Sequence, residues 1–219
     1  MTNERHRNSS LKPPAGSEPA GPRIELPVVH AAEAFLKDPV YTWMLPRSLQ
    51  LKPRLRTLFL AEMEQYVMRN GGTVWTTTHY DGAVAVLPPG ASEFPNSVTA
   101  KEALKWVRAF GTRMALAARV QRLMEERHPR EPHFYVRVVG VRPALQGRGL
   151  GSALMQPTLE RADLAGLPTY IEASTERSAA LYERLGFVHL GVHELPGGPP
   201  AWPMRRSSAG STQTSPSRR

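Results

Sequence analysis

The stretch VRPALQGRGLGSALM, residues 141–155, decides how this chain is read. An apolar, β-branched run, Phe134–Val141, leads into it. A helical pattern, Gly149–Ala165, leaves it and is closed by Gly166 and Pro168. Between them, Gln146, Gly147, Arg148, Gly149, Leu150 and Gly151 make a glycine-rich turn. Glycine lets the backbone turn tightly and leaves its N–H groups bare. The first turn of the following helix adds unpaired donors and the positive end of its dipole. Together they form a nest for a phosphate or pyrophosphate, with the charge of Arg148 beside it. The same turn would also serve simply to pack a helix on a strand. Two familiar phosphate loops are excluded. G-x-x-x-x-G-K-[ST] needs a lysine that is absent here, and G-x-G-x-x-G does not match the spacing.

Beyond this unit the pattern is again strand, helix, strand, strand. Thr169–Ser174 reads as a strand, Ser178–Leu185 as a helix stopped by Gly186, and Phe187–Leu195 as a strand. PGGPP is a turn and Ala201–Arg206 a last short strand. Upstream, Ala31–Leu36 and Leu51–Met68 have helical spacing, and Thr73–Thr78 pairs with Ala83–Leu87 across a turn containing Asp-Gly. Val98–Glu126 is a long helical region with a break at Gly111. The order predicts an α/β fold on a mixed sheet. Residues 1–22 and 207–219 are rich in Ser, Pro, Gly and charge and are expected to be a disordered leader and tail around one domain, 23–206.

The 28 Lys+Arg against 19 Asp+Glu give a formal charge of +9, which suits an anionic ligand. The tails lack interleaved aromatics and dense arginine, so no nucleic-acid partner is expected. The chain has no cysteine, which excludes disulfides, cysteine-ligated metals and a cysteine acyl-enzyme. The seven histidines show no HExxH-like spacing, and no metal is expected. His189 and His193 share one strand face and are expected in solvent. No apolar run reaches transmembrane length, so a cytoplasmic protein without a membrane partner is expected.

The segments HFYVRVVGVRPALQGRGLGSALM, YIEAS, LYERLGF and ELPGGPPAWPM together resemble the GCN5-related N-acetyltransferase (GNAT) superfamily, and within it small-molecule acetyltransferases of the puromycin N-acetyltransferase type. Weaker similarity reaches back through AAEAFLKDPVYTWMLP. The resemblance implies a mostly antiparallel twisted sheet flanked by helices and splayed around the strand that receives acetyl-CoA. It implies that Gln146, Gly147, Arg148, Gly149, Leu150, Gly151 and Ser152 hold the pyrophosphate. Val139 and Val141 would pair with the pantetheine amides, the Val141 N–H also serving a developing oxyanion. Tyr182 matches the position of the acid that protonates the leaving thiolate. Two departures stand out. Ser178 replaces a common asparagine, so a donor contact is weakened although serine still suits a helix cap. Only Arg23–His30, with Pro27 inside it, is available for the usual first strand.

The acceptor side is read from the residues. Glu172 lies in a central strand with Tyr170 and Ser174 on one face and Ile171 and Ala173 on the other. A buried carboxylate needs a task or a partner, so Glu172 is a candidate base or ammonium ligand. His133 and Glu131 are weaker candidates for the base. Tyr41 and Trp202 are candidates for the acceptor pocket, with Trp43 and Glu194 nearby in sequence. The expected activity is transfer of acetyl to a small-molecule amine by direct attack in a ternary complex. The alternatives are a protein or peptide N-acetyltransferase and a non-catalytic acyl-CoA-binding module. A monomer or homodimer is expected.

Overall fold

The computed structural model describes residues 17–20, 24–45, 50–91 and 99–210. Their strands are β1 (Glu18–Pro19), β2 (Thr73–Thr76), β3 (Gly82–Leu87), β4 (Phe134–Val141), β5 (Thr169–Ala173), β6 (Val188–His189), β7 (His193–Glu194) and β8 (Pro200–Arg206). They lie in the order β1-β2-β3-β4-β5-β8-β6, with β7 also on β8. The β4–β5 pair is parallel and the other pairs are antiparallel. This is the mixed, mostly antiparallel sheet expected.

Alternation along the strands separates two cores. Ala83, Ala85, Leu87, Tyr135, Val138 and Tyr170 face α1 (Glu25–Ala34), α3 (Leu51–Leu60) and its π-helical continuation Ala61–Met68. Val84, Val86, Val136, Val141, Ile171 and Ala173 face α6 (Leu150–Ala165) and α7 (Glu176–Arg184). α2 (Pro39–Met44), α4 (Ala100–Phe110) and α5 (Met114–Arg127) complete the first side. The break between α4 and α5 falls at Gly111, where φ is +52°.

Three expectations change. Of the stretch Arg23–His30, Arg23 lies outside the described residues and the rest is not a strand but enters helix α1, with Pro27 in its first turn, where a missing N–H costs nothing. The first strand is the short β1, inside the segment read as leader, and it pairs Glu18 with Thr76 and Pro19 with Trp75. Residues 1–16 lie outside the described residues. The strand expected over Phe187–Leu195 is two pieces. Gly191 has φ +123° between them, and the facing Pro203 has no N–H to give to the ladder, though its carbonyl accepts from Leu190 N at 2.9 Å. The break turns His193 inward, where it is buried with Nδ1 3.3 Å from Met124 Sδ. Residues 207–210, placed with the tail, still pack. Ser208 is buried, and Ala209 N donates to Asp163 Oδ1 at 2.8 Å. Asp163 also takes a two-pronged contact from Arg206 at 2.7 and 2.8 Å, which locks α6 to β8 and holds its carboxyl below the usual range.

α1 crosses β4 at contact distance because residue 140 is glycine. A Cβ there would sit 2.8 Å from Ala31 Cα and 2.9 Å from its carbonyl oxygen. Gly140→Ala is therefore expected to cost about 1–3 kcal/mol, since backbone cannot yield as a side chain does. A urea titration checks this, and an unchanged midpoint would show that α1 can lift away freely.

Candidate active site

The sheet opens at its centre. β4 pairs with β5 only from Phe134 to Val136, opposite Thr169 to Ile171. Beyond that β5 turns to β8, pairing Glu172 with Pro203 and Ala173 with Trp202. A bulge at Arg137 helps re-aim β4: Val138 faces Ala85 and Val136 faces Val86, so Arg137 has no partner in β3. Arg142 N donates to Asp81 O at 2.9 Å on the β3 side. By alternation, the backbone groups of Val139 and Val141 point the other way, into the gap. The Val141 carbonyl there accepts from Gln146 Nε2 at 2.9 Å. Gln146 thus ties the turn to the strand end through its side chain.

The turn then presents bare backbone. Gly147 and Gly149 have φ of +79° and +82°, and a Cβ at either would meet nothing within 4 Å, so both face open space. The first intrahelical bond runs from Ala153 N to Gly149 O, 3.0 Å, which leaves the amides of Leu150, Gly151 and Ser152 without helical acceptors. A Cβ at Gly151 would be 3.2 Å from Leu181, so α6 starts close against α7. Arg148 is exposed beside the turn. An open strand edge running into a bare, positive helix N-terminus fits a ligand that carries amides at one end and a pyrophosphate at the other.

Behind the gap lies a buried polar chain. Tyr135 OH donates to Glu172 Oε2 at 2.9 Å and accepts from Arg137 Nη1 at 3.2 Å. Arg137 Nε donates to Glu62 Oε1 at 2.7 Å, and its guanidinium lies 4.7 Å from the Tyr66 ring centre. Glu172 Oε1 is buried without a well-formed hydrogen bond, 4.0 Å from His128 Nδ1. Burial raises the Glu172 pKa, against the opposing effects of Tyr135, Arg137 and Tyr170. Tyr41 packs on Phe35 and Phe59, with centroids 5.0 and 5.2 Å away. Burial, with the charges of Glu62 and Asp38, keeps its hydroxyl protonated. Asp38 caps α2 by accepting from Val40 N at 2.9 Å and Tyr41 N at 3.1 Å, and Ser174 Oγ donates to its other oxygen.

Tyr182 stands on the other side of the gap, buried on α7 with its ring 5.9 Å from Phe187. Burial first, and then the Asp38 charge, push its pKa up, so it is a phenol throughout the neutral range. Ser178 is occupied locally. Thr175 is the N-cap, accepting from Ser178 N at 3.1 Å, and Ser178 Oγ donates to Thr175 O at 2.8 Å. Trp202 packs with the Tyr182 core, on the face opposite Tyr41 and Glu172. Tyr41, Glu172 and the β4 edge are thus brought together, and Trp202 is not part of that group. Trp43 packs over Gly198, and Glu194 is exposed.

Glu62, Arg137 and Asp38 were not singled out from the sequence, though each left a signal. Glu62 falls on the apolar stripe Leu55–Phe59–Tyr66, Arg137 interrupts an apolar strand, and Asp38 precedes Pro39 as a cap would. Among the described residues no group of three or more His, Cys, Asp or Glu could hold a metal ion, and no helix is long and apolar enough to cross a membrane.

His128 is pushed down to about 3, mainly by burial and then by the charges of His133, Arg137 and His193. Its folded pKa lies below the unfolded value. Its contribution is present above pH ~6.5 and is lost as pH falls toward ~3, at up to about 1.4 kcal/mol per pH unit. His133 and His193 are shifted the same way by burial. Urea midpoints should therefore drop between pH 7 and 5, and His128→Gln should flatten the slope. A flat wild-type profile would contradict the burial argument.

A splayed sheet, a strand edge with free amides and a glycine turn at a helix N-terminus define an acyl-donor scaffold of the acetyltransferase kind. Residues 100–187 match the family model described as Acetyltransferase (GNAT) family. A Corynebacterium glutamicum structure described as histone acetyltransferase HPA2 and related acetyltransferase superposes with TM-score 0.68 at 28% identity, covering 90% of this chain and 98% of that one. A mycothiol acetyltransferase of Streptomyces scabiei is 47% identical over 64 residues, which are 28% of this chain and 21% of that protein. The N-alpha-acetyltransferase RimI of Mycobacterium tuberculosis is 38% identical over 80 residues, 34% of this chain and 49% of that protein. The matched stretch thus spans about a fifth to a half of these curated relatives. Residues 100–187 thus match a GNAT-family acetyltransferase domain, within a fold shared with the Corynebacterium glutamicum structure. None of these relatives supports the narrower likeness to puromycin-modifying enzymes.

Proposed function

We propose that this protein is an acetyl-CoA-dependent N-acetyltransferase acting on the amine of a small molecule. The observation that carries the reading is the unpaired edge of β4 running directly into the Gly147–Ser152 turn, with Glu172 and Tyr182 on opposite sides of the gap. The turn amides and Arg148 hold the pyrophosphate, and Val139 and Val141 pair with the arm. The donor supplies an activated acyl carbon, and this chain's residues do the rest. Glu172, with its raised pKa, takes a proton from the acceptor ammonium so that the nitrogen has a lone pair. The Val141 N–H faces the carbonyl oxygen as negative charge develops there. Tyr182, kept protonated by burial, gives its proton to the leaving sulfur. The Glu62–Arg137–Tyr135 chain holds Glu172 in place.

A second reading is transfer to a protein N-terminal amine, which the RimI match favours. The burial of Glu172, whose side chain is 12% exposed, favours a small acceptor. CoA release from acetyl-CoA, measured against small primary amines and against short peptides with free α-amines, separates the two. Turnover of peptides alone would overturn the small-molecule reading. Binding of acetyl-CoA with no turnover of any amine would favour a non-catalytic acyl-CoA module.

A further inference from the structure

Two histidines with no part in the steps above stand behind Glu172. His128 follows α5, His133 precedes β4, and both are buried. Their Nε2 atoms are 2.8 Å apart, and His133 Nδ1 is 2.7 Å from the Glu131 backbone carbonyl. A carbonyl only accepts, so His133 carries its proton on Nδ1 and its Nε2 accepts. His128 must then carry its proton on Nε2, which leaves its Nδ1 as an acceptor. That Nδ1 faces Glu172 Oε1 at 4.0 Å. At the far end, both rings line a cavity of about 230 Å³ whose wall also holds Glu125, Arg130 and Glu131.

We infer that His128 and His133 form a relay that carries the acceptor's proton from Glu172 out to this cavity. The inference rests on the acetyltransfer reading. The acceptor ammonium loses two protons. The first breaks from nitrogen onto Glu172. The second leaves as the tetrahedral nitrogen becomes an amide, and it replaces the proton that Tyr182 gives to sulfur. Glu172 then rotates to close the last ~1 Å to hydrogen-bond length and passes its proton to His128 Nδ1. The His128 Nε2 proton moves to His133 Nε2, and His133, its hydrogen bond to the Glu131 carbonyl breaking, releases its Nδ1 proton to water in the cavity. Ring flips restore both tautomers. One proton leaves per acetyl transferred. Burial first, and then the positive charge of Arg137, disfavour an imidazolium at His128; the neutral rings of His133 and His193, with Tyr135, Tyr170 and Glu172, complete its surroundings. The proton therefore passes through both rings without resting on His128.

The test has two parts. Histidine-¹⁵N NMR of the wild-type protein should show His133 as the Nδ1–H tautomer and His128 as the Nε2–H tautomer, and the reverse assignment overturns the relay. His133→Ala opens the cavity end. It should lower kcat by about 10- to 100-fold, within the range of lost acid–base help, with KM for acetyl-CoA unchanged. Millimolar imidazole should restore the rate, an effect that a purely structural role would not show. A wild-type kcat in His133→Ala, or a loss that imidazole does not restore, overturns the proposal. If the variant does not fold, the tautomers decide. Absence of wild-type turnover with every amine would instead refute the acetyltransfer reading, and the NMR result would still judge the chain of hydrogen bonds.

Discussion

Tyr182→Phe should lower kcat by about 100-fold or more while leaving acetyl-CoA affinity and Tm nearly unchanged. The ring contributes to the core with Phe187, and phenylalanine keeps that packing. The hydroxyl alone is lost. In the proposed mechanism it delivers a proton to a thiolate with an ordinary pKa near ~8.5, which a phenol near ~10 or above can stabilise by hydrogen bonding and then protonate. Because burial and Asp38 raise its pKa further, Tyr182 stays protonated through the neutral range and adds no limb to the pH profile there. The limb of rising rate should come from Glu172, at a pH above its ordinary 4.5, and Glu172→Gln should remove it. Asp38→Asn should lower the Tyr182 pKa, because it takes away a negative charge that opposes the phenolate. A Tyr182→Phe enzyme with wild-type kcat would remove the acid role and leave Tyr182 as a core residue.

Gly149→Val should weaken acetyl-CoA binding by about 100-fold or more. Saturating donor should raise the wild-type Tm by roughly 5–10 °C, since a ligand at ~100 times its Kd adds about 2.7 kcal/mol. The variant should lose that rise. At φ +82° a β-branched residue is strained, and its side chain would fill the open space in front of the turn amides. Strain alone would also lower Tm, so a matched control is needed. Gly166 closes the other end of the same helix with φ +66° and equally open space. Gly166→Val should lower the free protein's Tm to a similar extent and keep the donor-induced rise. Equal loss of binding in both variants would mean that helix α6 as a whole, and not the turn, controls the site.

Much of this was legible along the chain because it depends on short-range chemistry. Phe134–Val141 is β4 to the residue, since a short run dominated by aromatic and β-branched residues and ended by a glycine turn has few other ways to fold. The α6 helix and its glycine caps followed from local backbone preferences. The alternation in β5 put Glu172 with Tyr170 on one face, as observed. Other features required contacts between distant segments. Glu18–Pro19 becomes a strand only because β2 offers an edge to pair with, and nothing in a Ser-Pro-Gly segment announces that. Trp202 lay next to the right residues in sequence but on the wrong face of the sheet, because a one-residue step in a strand reverses the side.

Local chemistry along the chain is enough for the strand–turn–helix unit, the family resemblance and the residue types at the candidate donor site, because these rest on glycine conformations and on helix and strand periodicity. Only the tertiary structure decided what surrounds Glu172. Glu62 comes from a π-helical segment, Tyr135 and Arg137 from β4 with its bulge, and His128 and His133 from the α5–β4 loop, positions as far as 75 residues apart. Their arrangement depends on how β4 and β5 part after Val136, and that parting is a property of the whole sheet. A buried charge is costly until its partner arrives. Such groups therefore acquire their chemistry from the packing that brings them together, and no local pattern records it.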